Sequence, residues 1–146
     1  MKGVSPLLSH SLFFIIGIGV SVLILTTIST LKSDLEERTF NSELNSIADF
    51  TKNEILSLYS LSTQVDSNKN ITMGNIKLSL PEKIGSHRYT VDLYQNGVGV
   101  RLFLRNKTLQ MNRTVNISAI MTGSSNIPAY LKLDLFENGT RLISLV

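Results

Sequence analysis

An α+β fold is predicted, with one long N-terminal helix followed by a small antiparallel β domain, either a sheet or a β-sandwich. Three observations carry this expectation. Residues 7–31 form an apolar run without Asp, Glu, Lys or Arg. Residues 32–63 lack Gly and Pro and place apolar side chains three to five positions apart. From residue 76 onward apolar and polar residues alternate with period two.

The apolar run reads LLSHSLFFIIGIGVSVLILTTISTL. As a helix rising about 1.5 Å per residue, it is long enough to cross a hydrocarbon core of about 30 Å with some tilt. A helix that is apolar on every face belongs in lipid or deep inside a large protein. A chain of 146 residues has too little other sequence to wrap it. His10, its one ionisable side chain, lies near the start and is expected at headgroup level. Gly17, Gly19, Ser9 and Ser21 either form a helix-packing face or reflect ordinary membrane-helix composition.

Composition narrows the function. The 14 basic residues exceed the 11 acidic ones by three, but they are scattered and not interleaved with aromatics, so nucleic acid is not an expected partner. The chain has no cysteine, which excludes disulfides, thiolate metal sites and a cysteine nucleophile. No nucleotide-binding or hydrolase motif is present, and the chain is not expected to be an enzyme. No catalytic residue and no cofactor is assigned.

Residues 1–6 read Met-Lys-Gly-Val-Ser-Pro. Ser5 suits an N-cap and Pro6 the first helical position. The run ends in Thr and Ser residues without a small-residue cleavage site, so the apolar helix is expected to stay in the mature protein. Lys2-Gly3 followed by Val4-Ser5-Pro6-Leu7 and a long apolar helix resembles the class III signal peptide of archaeal type IV pilin-like proteins. The resemblance implies a leader of residues 1–3, cut between Gly3 and Val4, with Lys2, Gly3 and Val4 as the leader-peptidase site. It implies a structural subunit, a major or minor pilin, of a type IV pilus-like or archaellum-like surface filament serving adhesion or motility. Partners implied are copies of itself or related pilins through helix 4–31, membrane lipid before assembly, a prepilin peptidase, an assembly ATPase and a platform protein. The leader is short, and the early helix lacks the acid that bacterial pilins carry, which leans toward the archaeal branch. The N-terminus is expected in the cytoplasm and the rest outside, either as a single-pass membrane protein or in a surface filament.

Residues 32–63 continue the helix as an amphipathic segment. Its stripe is Leu35, Phe40, Leu44, Ile47, Phe50 or Thr51, Ile55 and Leu58, with a bend possible near Thr39 to Asn41. Residues 64–75 are polar and read as a linker loop. Asp66 to Asn70 begins like a calcium loop, but Ile71 stands where Gly is required and Lys77 where the bidentate Glu belongs, so no metal site is assigned.

Residues 76–146 form the β domain. Alternation covers 76–80, 89–93, 98–104, 115–121, 131–135 and 140–146, predicting six or seven strands over one core that includes the helical stripe. Asn96-Gly97 and Asn138-Gly139 predict type I′ hairpins joining 88–95 to 98–105 and 130–137 to 140–146. The stretch Leu80 to Gly85, followed by Tyr89-Thr90-Val91, is also similar to the first strand-turn-strand of archaeal pilin-like β domains. His87 is read as a solvated loop residue. Five sequons, at Asn70, Asn106, Asn112, Asn116 and Asn138, are candidates for N-glycosylation, which requires the outer side of the membrane. A reading of another class keeps the same anchor: a membrane-tethered β module that never polymerises, an adhesin or an envelope-contacting stator, with Tyr94 and Phe103 marking its contact patch.

Overall fold

The computed structural model describes residues 4–65 and 69–146, with side-chain surroundings given from Leu8 onward. The failed calcium loop at Asp66 to Asn70 falls largely outside these residues. The helix α1 spans Val4–Ser62. It starts earlier than the capping reading, so Ser5 and Pro6 lie in its first turn, where the missing proline N–H costs no intrahelical bond. The chain divides into two compact units, Met1–Thr39 and Phe40–Val146.

In the second unit the helix buries Leu44, Ala48, Thr51, Ile55, Leu58 and Ser62. These positions step by four, three, four, three and four residues, the spacing of one helical face. Thr51, fully buried, takes the place left open between it and Phe50, which is 36% exposed. Its hydroxyl donates to the Ile47 carbonyl at 2.9 Å, so burial leaves no donor unpaired.

The strands are β1 (Ile71–Lys77), β2 (Tyr89–Tyr94), β3 (Gly97–Phe103), β4 (Thr108–Thr114), β5 (Ile120–Asn126), β6 (Tyr130–Leu135) and β7 (Arg141–Leu145). They form one seven-stranded sheet in the order β1-β6-β7-β5-β2-β3-β4. All pairings are antiparallel except β5 with β7. The inward residues, among them Tyr89, Val91, Val98, Val100, Leu102, Leu131, Leu133 and Ile143, share one core with the helical stripe. The Tyr89 hydroxyl donates to the Pro81 carbonyl at 2.6 Å, and burial raises its pKa above the usual phenol value.

Two expectations about the strands are corrected. The first strand lies over 71–77, so it begins inside the stretch 64–75 read as a linker and overlaps the predicted strand 76–80 only at its end, with Leu78 and Leu80 following it. β1 is an edge strand with one neighbour and side chains that are exposed or part-buried, so it needs little apolar sequence. The alternation over 115–121 is not one strand. β4 ends at Thr114 and β5 begins at Ile120, and residues 115–119 connect them. Two strands separate β4 from β5 in the sheet, so the chain must cross between them, and Val115 is buried at that crossing with its N–H donating to the Asn96 carbonyl.

The turns differ as well. Tyr94 pairs with Gly97, leaving Gln95-Asn96 as the first hairpin loop. Asn96 and Gly97 have no positive φ, so this is no type I′ turn. In the second hairpin Gly139 (φ +79°) closes a three-residue loop, its N–H donating to the Phe136 carbonyl while the Phe136 N–H donates to Thr140. This is the turn-plus-bulge solution that a single left-handed glycine permits.

β5 joins the two halves of the sheet. Its residues Ile120 to Thr122 pair with β7, and Gly123 to Asn126 pair with β2. Gly123 sits at the hand-over with φ +124°, and a Cβ there would lie 2.5 Å from the Leu145 carbonyl oxygen. Backbone passes too close for any side chain.

Candidate functional surfaces

Two surfaces carry the sequence-derived assignments. The first is the apolar part of α1. Large side chains from Leu8 to Leu31 are all about half exposed or more, Phe13 and Phe14 to 71% and 70%. By length and composition this helix could cross a membrane, and its apolar window has none of its surface buried. Its hydroxyls turn back onto the helix: Ser21 donates to the Gly17 carbonyl at 2.8 Å, Thr27 to Leu23 at 2.8 Å and Thr30 to Thr26 at 3.0 Å. Such bonds suit a surface that meets no water. Beside Gly17 a shallow groove opens between Phe13, Phe14, Ser21 and Leu25. Of the leader-peptidase assignment, Val4 is the first helical residue, and Lys2 and Gly3 lie outside the described residues.

The second surface is the outer face and edges of the sheet. All five sequon asparagines are exposed. Asn70 precedes edge strand β1 and its Oδ1 accepts the Glu137 N–H at 2.8 Å, close to the turn that holds Asn138. Asn138 Oδ1 accepts the Thr140 N–H at 2.9 Å. Asn106 and Asn116 flank the opposite edge strand β4, and Asn112 lies within it.

Polar contacts that sequence reasoning did not anticipate fix this surface. Asp92 on β2 is 4% exposed although it faces outward. Arg101 on β3 donates to it twice, Nε to Oδ2 at 2.7 Å and Nη2 to Oδ1 at 2.8 Å, and Ser124 on β5 donates at 2.6 Å. One carboxylate thereby joins three strands. The register carries the signal: Asp92 pairs with Gly99 and Arg101 with Thr90, so the opposite charges are diagonal neighbours. Arg113 on β4 reaches the helix, donating to Asp49 Oδ1 at 2.6 Å and Asn45 Oδ1 at 2.5 Å. Arg141 on β7 lies over the Tyr59 ring and donates to the Ser62 carbonyl at 3.4 Å, a cation at the helix C-terminus. His87, expected in solvent, is half-buried with its ring edge-on to Phe40 at 5.7 Å, because the tight Ile84–His87 turn folds it inward.

The Arg101 hydrogen bonds, opposed by burial and aided by Ser124, hold the Asp92 carboxyl below its ordinary pKa of 3.8. A carboxyl whose folded pKa is lowered stabilises the fold above its unfolded pKa, and that contribution is lost as pH falls through the folded value. The β unit is therefore expected to weaken below about pH 4, the unfolded carboxylate range. Asp92→Asn should flatten this part of the acid limb. The check is thermal melting by circular dichroism between pH 2.5 and 7.

Among the described residues no group of three or more His, Asp or Glu could hold a metal ion. Comparison with protein-family models, curated proteins and solved structures finds no match to this chain.

Proposed function

We propose that the chain is a structural subunit of an archaeal type IV pilus-like or archaellum-like surface filament. One observation carries the reading: a helical surface without Asp, Glu, Lys or Arg from Leu8 to Leu31, none of whose apolar window is buried among the described residues. Lipid covers it before assembly, and the same segment of neighbouring subunits covers it afterwards. Van der Waals contact between close-packed helices then replaces contact with lipid. Phe50, Leu56 and Leu61 extend the supply of exposed apolar groups onto the part of α1 that packs beneath the sheet. The β unit forms the outer wall and carries N-linked sugars on its sequons.

In this reading a membrane peptidase cuts between Gly3 and Val4. Gly3→Phe should leave an uncleaved product of slower mobility and few filaments, read by immunoblot and by electron microscopy of a sheared fraction. Normal cleavage would count against class III processing. The rival reading, an anchored module that never polymerises, draws on Tyr94 and Phe103, exposed to 42% and 48% on the outer sheet face. It is supported instead if all the protein extracts with membrane and none shears off.

A further inference from the structure

We propose that Asn112 carries an N-linked sugar whose first ring rests against Tyr94, above Gly99. The inference rests on the glycosylation reading given above. Asn112 and Gly99 pair across β4 and β3. A Cβ on Gly99 would lie 2.6 Å from Tyr94 Oη, 2.7 Å from its Cε2 and 2.9 Å from Asn112 Oδ1. The phenol ring and the amide thus converge over Gly99, which has no side chain to fill the space between them. Gln110 fixes both, its Nε2 donating to Asn112 Oδ1 at 3.0 Å and to Tyr94 Oη at 3.4 Å.

This geometry decides where a sugar would go. With Oδ1 held by Gln110, Nδ2 is the free end of the amide, and Asn112 stands on an exposed edge strand. Transfer forms a bond from Nδ2 to the anomeric carbon of a lipid-linked oligosaccharide. The bond from that carbon to the lipid phosphate oxygen breaks, the lipid phosphate leaves, and Nδ2 gives up one proton to solvent. The product is a planar secondary amide, for which the trans form is strongly preferred. The anomeric carbon then lies opposite Cβ, on the same side as Oδ1, and Oδ1 faces Gln110 and Tyr94. A pyranose has an apolar C–H face, and the half-exposed phenol ring offers it a flat apolar partner with a polar tip. Glycine at 99 keeps the ring and amide near one another, since any side chain there would push them apart.

The test uses the full-length chain from its native host, purified in detergent. Glycopeptide mass spectrometry should find a sugar on Asn112. Thr114→Ala removes that sequon and keeps the asparagine, and should lower the melting temperature of the β unit by a few degrees. In a Tyr94→Ala background the same removal should change the melting temperature little, whereas in Tyr94→Phe, which keeps the ring, the full difference should return. An undiminished difference in Tyr94→Ala overturns the contact. An unmodified Asn112 beside other modified sequons overturns this inference alone, and five bare sequons overturn the glycosylation reading with it.

Discussion

Ile18→Arg is expected, on the proposed filament assembly, to eliminate sheared filaments while leaving the β unit folded. Ile18 lies in the middle of the apolar run, between Gly17 and Gly19, and is half exposed. In a bilayer an Arg at the centre of a helix costs about 2.5–3.5 kcal/mol, which weakens insertion without forbidding it. In a helical core built from many copies, every copy would bring an unpaired charge into contact with others. Removing a charge from water without a partner costs several kcal/mol per ion. The penalty repeats with each subunit, so the assembled state suffers more than the membrane-stored one. The measurement is the ratio of sheared to membrane-bound protein by immunoblot, with Ile18→Val as a control that keeps the wild-type ratio. Wild-type filament yield from Ile18→Arg would remove the basis for assembly through this helix. The fold of Phe40–Val146 should not change, since Ile18 belongs to the other compact unit.

Gly123→Ala should produce the largest loss of stability in the β unit. Its φ of +124° is a conformation that L residues rarely adopt, and holding one there costs about 1–3 kcal/mol. The added Cβ would also meet backbone atoms of Leu145, the carbonyl oxygen at 2.5 Å and the nitrogen at 2.8 Å. Backbone cannot swing aside as the end of a flexible side chain can, so overpacking adds a further cost of about 1–3 kcal/mol. A combined loss of about 2–6 kcal/mol is a large share of the 5–15 kcal/mol typical of a native domain. Gly139→Ala is the informative contrast. It also sits at positive φ (+79°), but nothing lies within 4 Å of its would-be Cβ, so only the strain should appear. Urea titration followed by circular dichroism should rank wild type above Gly139→Ala and Gly139→Ala above Gly123→Ala. Equal midpoints for the two variants would contradict the close approach of β5 to β7.

Much of the fold was legible because its strongest signals are local. A run without charges, a stretch without Gly or Pro, and period-two alternation each reflect a backbone's immediate surroundings. The two hairpins were legible for the same reason. What escaped depends on distant partners. β1 has the composition of a loop and becomes a strand only because β6 offers it an edge. Residues 115–119 alternate like a strand but serve to carry the chain across two others. Ala48 and Ser62 complete the buried helical stripe, yet neither is apolar enough to announce it. The passage of β5 from β7 to β2 falls at Gly123, which in sequence is one glycine among nine. For the sites, the sequons and the apolar helix could be read directly. The convergence of Tyr94 and Asn112 could not, because it requires the register of β2, β3 and β4 together.

β7 is the last strand in chain order but sits inside the sheet, between β6 and β5. Until it is in place, β6 with β1 and β5 with the β2–β3–β4 group have no pairing that joins them. β7 is thus the strand that closes the β unit into one sheet. Whenever β7 lets go, β6 and β5 each expose a raw margin on which a stray strand could lodge.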